Sequence, residues 1–284
     1  MSNKVIFLQD FFIEHLLGGA ELHDDVVVKH FEKIGILYEK RRSIDVTIQY
    51  LKQNKDKVWF ISNFSQLSNI AKAYLAKECS YIIYEHDYKF VDSRNPVKFK
   101  DFVVPQENKV NINFYRNAHK IVCLSKFHRE IFDKNLNFTN IVNINCSMWS
   151  DKDLDMFRRL ASTDKNERYA VIRSPNPIKK TQEAVNFCEA KGLPYDLISS
   201  PNYSEFIKML SKYKGLVFMT GHPEPTPRVA IEAKMLNCKF VSSKTLIGVA
   251  HEEYFSLTGE EMINCVAEMR DVALSKLVEW VNEV

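Results

Sequence analysis

The sequence predicts an α/β protein of two Rossmann-like, doubly wound parallel-sheet domains facing across a cleft, and three observations carry that reading. Short apolar runs rich in β-branched and aromatic residues recur along the whole chain. Amphipathic segments separate them, the alternation expected of βαβ units whose strands are buried on both faces. No Asn-Gly or Asp-Gly signal joins successive runs, so crossovers rather than hairpins connect them.

In the first half the runs are 5–8, 58–62, 81–84, 120–124 and 141–145, with 35–38 a weaker candidate. In the second half they are 169–173, 196–199, 216–219 and 239–242. The intervening amphipathic stretches are 45–53, 66–77, 126–134, 182–191, 204–212 and 228–236. Two polar stretches, 150–153 and 162–168, flank a helical piece at 154–160 and suggest a boundary. The expected division is a first domain over 1–160 and a second over 161–269. The tail, 259–284, reads as two helices, one marked by Met262, Val266 and Met269, the other by Leu274, Leu277, Val278 and Val281. The second of these, about 270–284, either packs on the second domain or crosses back to the first, the crossing being the preferred reading.

Composition narrows the function classes. Hydrophobic residues make up 45% of the 284 and charged residues 26%, which excludes a disordered chain. A net charge of +3, with only short basic runs such as Lys40-Arg41-Arg42 and Lys179-Lys180, argues against a nucleic-acid partner. The six cysteines are scattered without a Cys-x-x-Cys pair, which supports neither a zinc site nor a disulfide framework. The start, Met1-Ser2-Asn3-Lys4-Val5, lacks a signal-peptide layout, and no apolar run approaches the roughly 18 residues of a membrane span. A cytoplasmic protein without a transmembrane segment is expected, with peripheral membrane contact left open.

Ligands of doubly wound sheets bind beyond the carboxyl ends of the strands, so the residues after each run are the candidates. The stretch 215–241 is the most informative. Its strand ends in Thr220-Gly221-His222-Pro223-Glu224-Pro225, followed by Thr226 as an expected N-cap and Pro227 at the first helical position. The first helical amides, around Pro227, Arg228 and Val229, offer a positive helix end suited to a phosphate. Glu224 falls in the loop beside that end. Glu232 falls about one and a half turns into the helix, where a carboxylate can accept two hydroxyl protons of a ribose diol.

The segment Glu224-Pro225-Thr226-Pro227-Arg228-Val229-Ala230-Ile231-Glu232-Ala233 resembles the E-x7-E signature of retaining GT-B glycosyltransferases, particularly the GT4 (glycosyl transferases group 1) family. The resemblance implies a retaining, metal-independent transferase moving a sugar from a UDP- or GDP-linked donor, with no further cofactor. It assigns the donor sugar to Glu224, the phosphate to the Pro227–Val229 region and the ribose to Glu232. Gly18-Gly19 after the first run resembles the family's N-terminal Gly-Gly loop. Arg173 and Lys179 (or Lys180) resemble its two diphosphate-binding cations, although Ile172 and Thr181 stand where glycines are usual. His86 resembles a histidine that faces the donor sugar; its neighbours Glu85 and Asp87 leave a structural role open. Ser125-Lys126-Phe127 resembles a further family element on the acceptor side. The acceptor itself is not legible; the polar stretch 88–118 is the part expected to shape its site.

Thr226-Pro227 replaces the family's usual Phe-Gly, which changes the backbone that meets the donor. The Asp-x-Asp triplets in Asp151-Lys152-Asp153-Leu154-Asp155 read as a solvated helix start rather than a metal site. Two alternatives remain on the same scaffold: a non-catalytic nucleotide-sugar or glycan-binding protein, and a nucleotide-sugar epimerase.

Overall fold

The computed structural model describes residues 3–284 and divides the chain into two compact units. Met1 and Ser2, where the first domain is expected to begin, lie outside the described residues. Unit 1 runs to Met148 and also takes Arg270–Val284; unit 2 is Trp149–Met269.

Unit 1 carries a six-stranded parallel sheet built from β1 (Val5–Gln9), β2 (Leu37–Arg42), β3 (Val58–Ile61), β4 (Ser80–Tyr84), β5 (Lys120–Cys123) and β6 (Ile141–Asn143). Their order is β2-β1-β3-β4-β5-β6. The chain therefore reverses its direction of travel across the sheet between β1 and β3, which marks a switch point. The four residues of β3 and all five of β1 are buried, as continuous apolar runs in a sheet covered on both faces should be. The helices are α1 (Gly19–Lys33), α2 (Ile48–Gln53), α3 (Asn69–Glu78), α4 (Ile112–Arg116) and α5 (Lys126–Leu136). Thr47, Ser68 and Ser125 cap α2, α3 and α5 by accepting from amides three residues on.

Unit 2 repeats the scheme with four parallel strands, β7 (Tyr169–Ile172), β8 (Tyr195–Ile198), β9 (Gly215–Val217) and β10 (Lys239–Val241), ordered β10-β9-β7-β8. Here the switch point lies between β7 and β9. The helices are α6 (Asp151–Ala161), α7 (Thr181–Ala190), α8 (Tyr203–Leu210) and α9 (Arg228–Met235), while the long α10 (Gly259–Asn282) begins in unit 2 and belongs to unit 1 from Arg270 on. Gly215 is required at the start of β9, since a Cβ there would lie 2.6 Å from the carbonyl oxygen of Lys239.

The structure corrects the expected boundary. Residues 151–161 form α6, whose Leu154 and Phe157 belong to the apolar core of unit 2 with Ile231 and Met235, so the division falls before this helix and not after it. The Asp-x-Asp triplets are its first turn: Ser150 and Asp153 form a capping box, and Asp155 pairs with Arg158. The tail is also not two helices. Gly259–Asn282 is one continuous helix, because nothing between 269 and 274 breaks it: Arg270, Asp271, Val272 and Ala273 are neither Gly nor Pro. Its last turns are tied to unit 1, where Asn3 donates to the carbonyls of Val281 and Val284 and Glu283 pairs with His119 and Lys120.

All six cysteines are free thiols, four of them buried. Among the described residues no helix is long and apolar enough to cross a membrane.

Candidate functional site

Each switch point gathers polar side chains contributed by separate loops. In unit 2 the loops after β7, β9 and β10 converge on Glu224. Its amide donates to the carbonyl of Leu246 and its own carbonyl accepts from Gly248, both at 2.8 Å, so the backbone is held in a short parallel bridge. The Gly221 amide donates to the carbonyl of Ile178 at 2.9 Å, docking the β9 loop against the β7 loop. A Cβ on Gly221 would meet Lys180 Cε at 2.9 Å, a contact the flexible lysine side chain can relieve. Across that seam Lys179 Nζ reaches Glu224 Oε1 at 2.8 Å, and lies 5.4 Å from the ring centre of Phe218. The two side chains are about a third and a fifth exposed, so both remain within reach of a ligand.

Arg173 follows β7 directly, is exposed, and has no side-chain hydrogen bond or ion pair among the described residues. Lys180, the alternative to Lys179, turns outward and pairs with Glu183 on the surface.

The entry of α9 differs in detail from expectation. Pro227 is the N-cap itself, not the first helical residue, and Thr226 makes no capping hydrogen bond. Pro227 has an extended ψ of 113°, which sets the turn one residue later, so Arg228 and Val229 open the helix. The first turn tightens at once, with the Ala230 amide donating to the Pro227 carbonyl at 3.0 Å.

Glu232 is almost fully buried, and one oxygen carries its partners. Oε1 accepts from Tyr203 OH at 2.7 Å and Trp149 Nε1 at 3.1 Å, and lies 3.4 Å from Arg228 Nε. Arg228 is stacked 4.5 Å from the Trp149 ring centre and donates to Tyr203 OH at 3.1 Å. Burial, and then the Glu232 charge, hold the Tyr203 phenol well above its ordinary range, so it stays a donor. Sequence reasoning missed Trp149 and Tyr203, which lie far from the signature in the chain. Oε2 of Glu232 has no partner among the described residues.

In unit 1, Gly18 is the N-cap of α1 with an extended backbone, φ −121°, and Gly19 is the first helical residue. Neither its backbone angles nor a fixed neighbour demands glycine at position 18: a Cβ would fall 2.3 Å from Glu21 Oε2, the far end of a side chain that can move aside. Burial raises the Glu21 carboxyl, and neighbouring Asp24 adds to the effect. Asp24 is fully buried and both its oxygens are used. Oδ2 accepts from Ser62 at 2.5 Å, just beyond β3, and Oδ1 lies 2.7 Å from His86 Nε2, just beyond β4.

His86 is a tenth exposed. Burial alone would depress its pKa, but the Asp24 carboxylate outweighs burial through charge and hydrogen bond, and the imidazole titrates above its ordinary range. The neighbours suspected of holding His86 do otherwise. Glu85 bonds Tyr115 and Lys89, and Asp87 pairs with Lys89 and Arg94. Burial works against the Asp87 charge, yet Lys89 and Arg94 bring it down to about 2. Ser125 is the cap of α5, and no ligand role follows from that position. Asp24 was legible in one respect: it shares a helical face with Val27, Val28 and Phe31, all buried, whereas Asp25 pairs with Lys29 at the surface.

Among the described residues no group of three or more His, Cys, Asp or Glu side chains is placed to hold a metal ion.

No protein-family model matches the chain, and no curated protein matches it significantly. Solved structures do. Anabaena HepE, solved in complex with UDP, superposes with a TM-score of 0.56 at 14% identity, over 99% of this chain and 97% of that one. Sucrose-phosphate synthase from Thermosynechococcus elongatus gives 0.62 at 9% identity, over 98% of each chain. The UDP-GlcNAc 2-epimerase of Methanocaldococcus jannaschii, in complex with UDP-GlcNAc and UDP, gives 0.53 at 9% identity over the full length of both. These likenesses place the chain in the GT-B class of α/β folds, with parallel sheets of six and four strands.

Proposed function

We propose that the protein is a glycosyltransferase that takes a sugar from a UDP- or GDP-linked donor, with unit 2 holding the nucleotide sugar. The observation that carries the reading is the Lys179–Glu224 contact at 2.8 Å across the unit 2 switch point, the place where doubly wound sheets bind ligands. Two loops far apart in sequence bring there a cation and an acid, and the exposed cation Arg173 opens the loop after β7 that also carries Lys179.

The arrangement suits the chemistry of a departing diphosphate. As the bond from the sugar carbon to the phosphate oxygen breaks, negative charge grows on the leaving group, and fixed cations stabilise that charge more than they stabilise the bound donor. Lys179 and Arg173 supply it. Glu224 and Lys179 neutralise each other, so a diphosphate that takes up Lys179 releases the Glu224 carboxylate to accept from sugar hydroxyls. Glu232 fits the ribose through Oε2, with Oε1 anchored by Tyr203 and Trp149. Pro227, Arg228 and Val229 act in this reading through the backbone at the start of α9, since the Arg228 side chain is committed to Trp149 and Tyr203. Gly18, Gly19 and His86 serve the hydroxyl groups of the reaction at the unit 1 switch point.

Support comes also from the HepE neighbour solved with UDP and from the sucrose-phosphate synthase. Membership of the GT4 family, retention of anomeric configuration and metal independence belong to the proposal and rest on the E-x7-E resemblance. A mass-spectrometric screen of UDP- and GDP-linked sugars tests it: transfer or slow hydrolysis of one donor is the expected outcome, and inertness toward all of them sinks it. The anomeric proton coupling of the product then separates retention from inversion. The epimerase neighbour keeps one other reading in play. It is distinguished by free UDP and an epimerised sugar formed with no acceptor present.

A further inference from the structure

We propose that Asp24 is a positioning residue: with Ser62 it pins the Nε2 edge of His86, so that Nδ1 is the nitrogen offered to substrate. Asp24 is fully buried on α1, and a buried carboxylate is tolerated only when its oxygens are hydrogen-bonded or paired. Ser62 supplies one bond, at 2.5 Å, and His86 Nε2 the other, at 2.7 Å. The three residues come from three elements that meet beside the β1/β3 switch point: α1, the end of β3 and the end of β4. Nδ1 of His86 has no hydrogen-bond partner among the described residues and is not sealed from solvent.

A carboxylate accepts only, so Nε2 must carry a proton in either charge state of the ring. The neutral ring therefore presents Nδ1 as a lone-pair acceptor, and the charged ring presents it as a donor. A histidine without such a partner would exchange tautomers and lose that definition. Rings around His86 restrict it further: His23 on α1 stands edge-on at 5.0 Å between centroids and Tyr84 of β4 edge-on at 5.4 Å. His23 is itself committed, bonding Ser147 through Nδ1 at 3.0 Å and Tyr84 through Nε2 at 2.5 Å.

The charge state of His86 is set by groups on every element packed against it. From α1 these are Asp24 and Glu21, both favouring the imidazolium; from the loop after β4 it is Lys89, opposing it. His128 of α5 is held neutral, its pKa lowered to about 3 by burial, and adds no charge. The net balance lies above the ordinary value, because the charge and hydrogen bond of Asp24 outweigh burial.

The inference rests on the reading of His86 as a residue that meets substrate, and the test separates the two. Long-range nitrogen–proton NMR on the full chain, with His86→Gln identifying the signal, reads tautomer and titration directly and needs no turnover. The expected result is a neutral ring protonated on Nε2 and a midpoint above that of a free histidine. Asp24→Asn is expected to lower that midpoint and to mix or invert the tautomers, because the amide can donate to Nε2. Ser62→Ala, the milder variant, removes a donor from the carboxylate but keeps its charge, and is expected to leave the ring protonated on Nε2 with a midpoint still above that of a free histidine. In a donor-turnover assay Asp24→Asn is expected to lower kcat roughly 10–100-fold with little change in KM, and to move the pH profile with the NMR midpoint. A wild-type ring protonated on Nδ1, or a midpoint unmoved in folded Asp24→Asn, overturns the inference. If the wild-type protein turns over no donor, the proposed function fails and the NMR result still decides the role of Asp24.

Discussion

The two switch points place polar side chains in the same topological position and fill them with opposite chemistry. Unit 2 has cations and one part-exposed acid there, Arg173, Lys179 and Glu224, held by loop-to-loop backbone hydrogen bonds. Unit 1 has acids buried beside a histidine, Glu21 and Asp24 with His86, and Asp24 is held by side-chain hydrogen bonds to Ser62 and His86. The difference follows from what each must do while no charge is neutralised by a ligand. Exposed cations need little compensation because water screens them, whereas buried carboxylates must be paired or protonated. In the proposed function, unit 2 offers charge to an anion and unit 1 offers defined hydrogen-bonding directions to hydroxyls.

The largest effect expected from breaking that contrast is on turnover. Glu224→Gln keeps the shape of the loop but removes the charge, and kcat is expected to fall roughly 10²–10³-fold, the scale of losing one group that acts on the transition state. Lys180→Ala, next in sequence to Lys179, is expected to leave kcat within about twofold, because it only loses an exposed pair with Glu183.

Stability comes second. Glu232→Ala leaves Arg228 buried without its carboxylate, and breaking such a pair costs about 3–5 kcal/mol, readable in urea titration. A loss below 1 kcal/mol contradicts the description of the Trp149–Tyr203–Arg228–Glu232 network as tightly coupled.

A smaller effect depends on pH. Glu21 has its pKa raised by burial, so the folded protein holds that proton more tightly than the unfolded chain. Its contribution to stability is present below the ordinary carboxylate range and is lost as pH rises through the folded value. Glu21→Gln removes this loss. Its thermal midpoint relative to wild type is expected to rise between acidic and neutral pH, and a difference independent of pH contradicts the assignment. Gly18→Ala is expected to do least: its backbone angles suit alanine, and only the Glu21 carboxylate must move aside.

How much of this was legible depends on the kind of signal. The strands were, because four or five apolar residues in sequence leave few other structures, as in Val5–Gln9 and Val58–Ile61. The exception is β2, whose Glu39, Lys40, Arg41 and Arg42 suit an edge strand and carry no apolar run. In unit 2, Arg173 follows β7 directly, whereas Lys179 and Glu224 stand well beyond the ends of β7 and β9 and were singled out by the E-x7-E resemblance and its paired cations. Trp149 and Tyr203 were not, since only folding brings α6's approach and α8 to Glu232. In unit 1 the family resemblance pointed to His86 but not to its partner Asp24, whose burial shows only in the helical phase it shares with Val27, Val28 and Phe31. The division of the chain was misplaced for a related reason, because the polar residues of 150–153 cap a helix instead of marking a linker.

The central claim is that unit 2 binds a nucleoside diphosphate at its switch point through Lys179. Calorimetric titration of UDP and of GDP into wild-type protein and into Lys179→Ala tests it most directly. The account predicts saturable binding of one nucleotide to wild type and a loss of about tenfold or more in Lys179→Ala, with the fold unchanged by circular dichroism. Equal affinity for the two proteins, or no binding of either nucleotide to wild type, contradicts it.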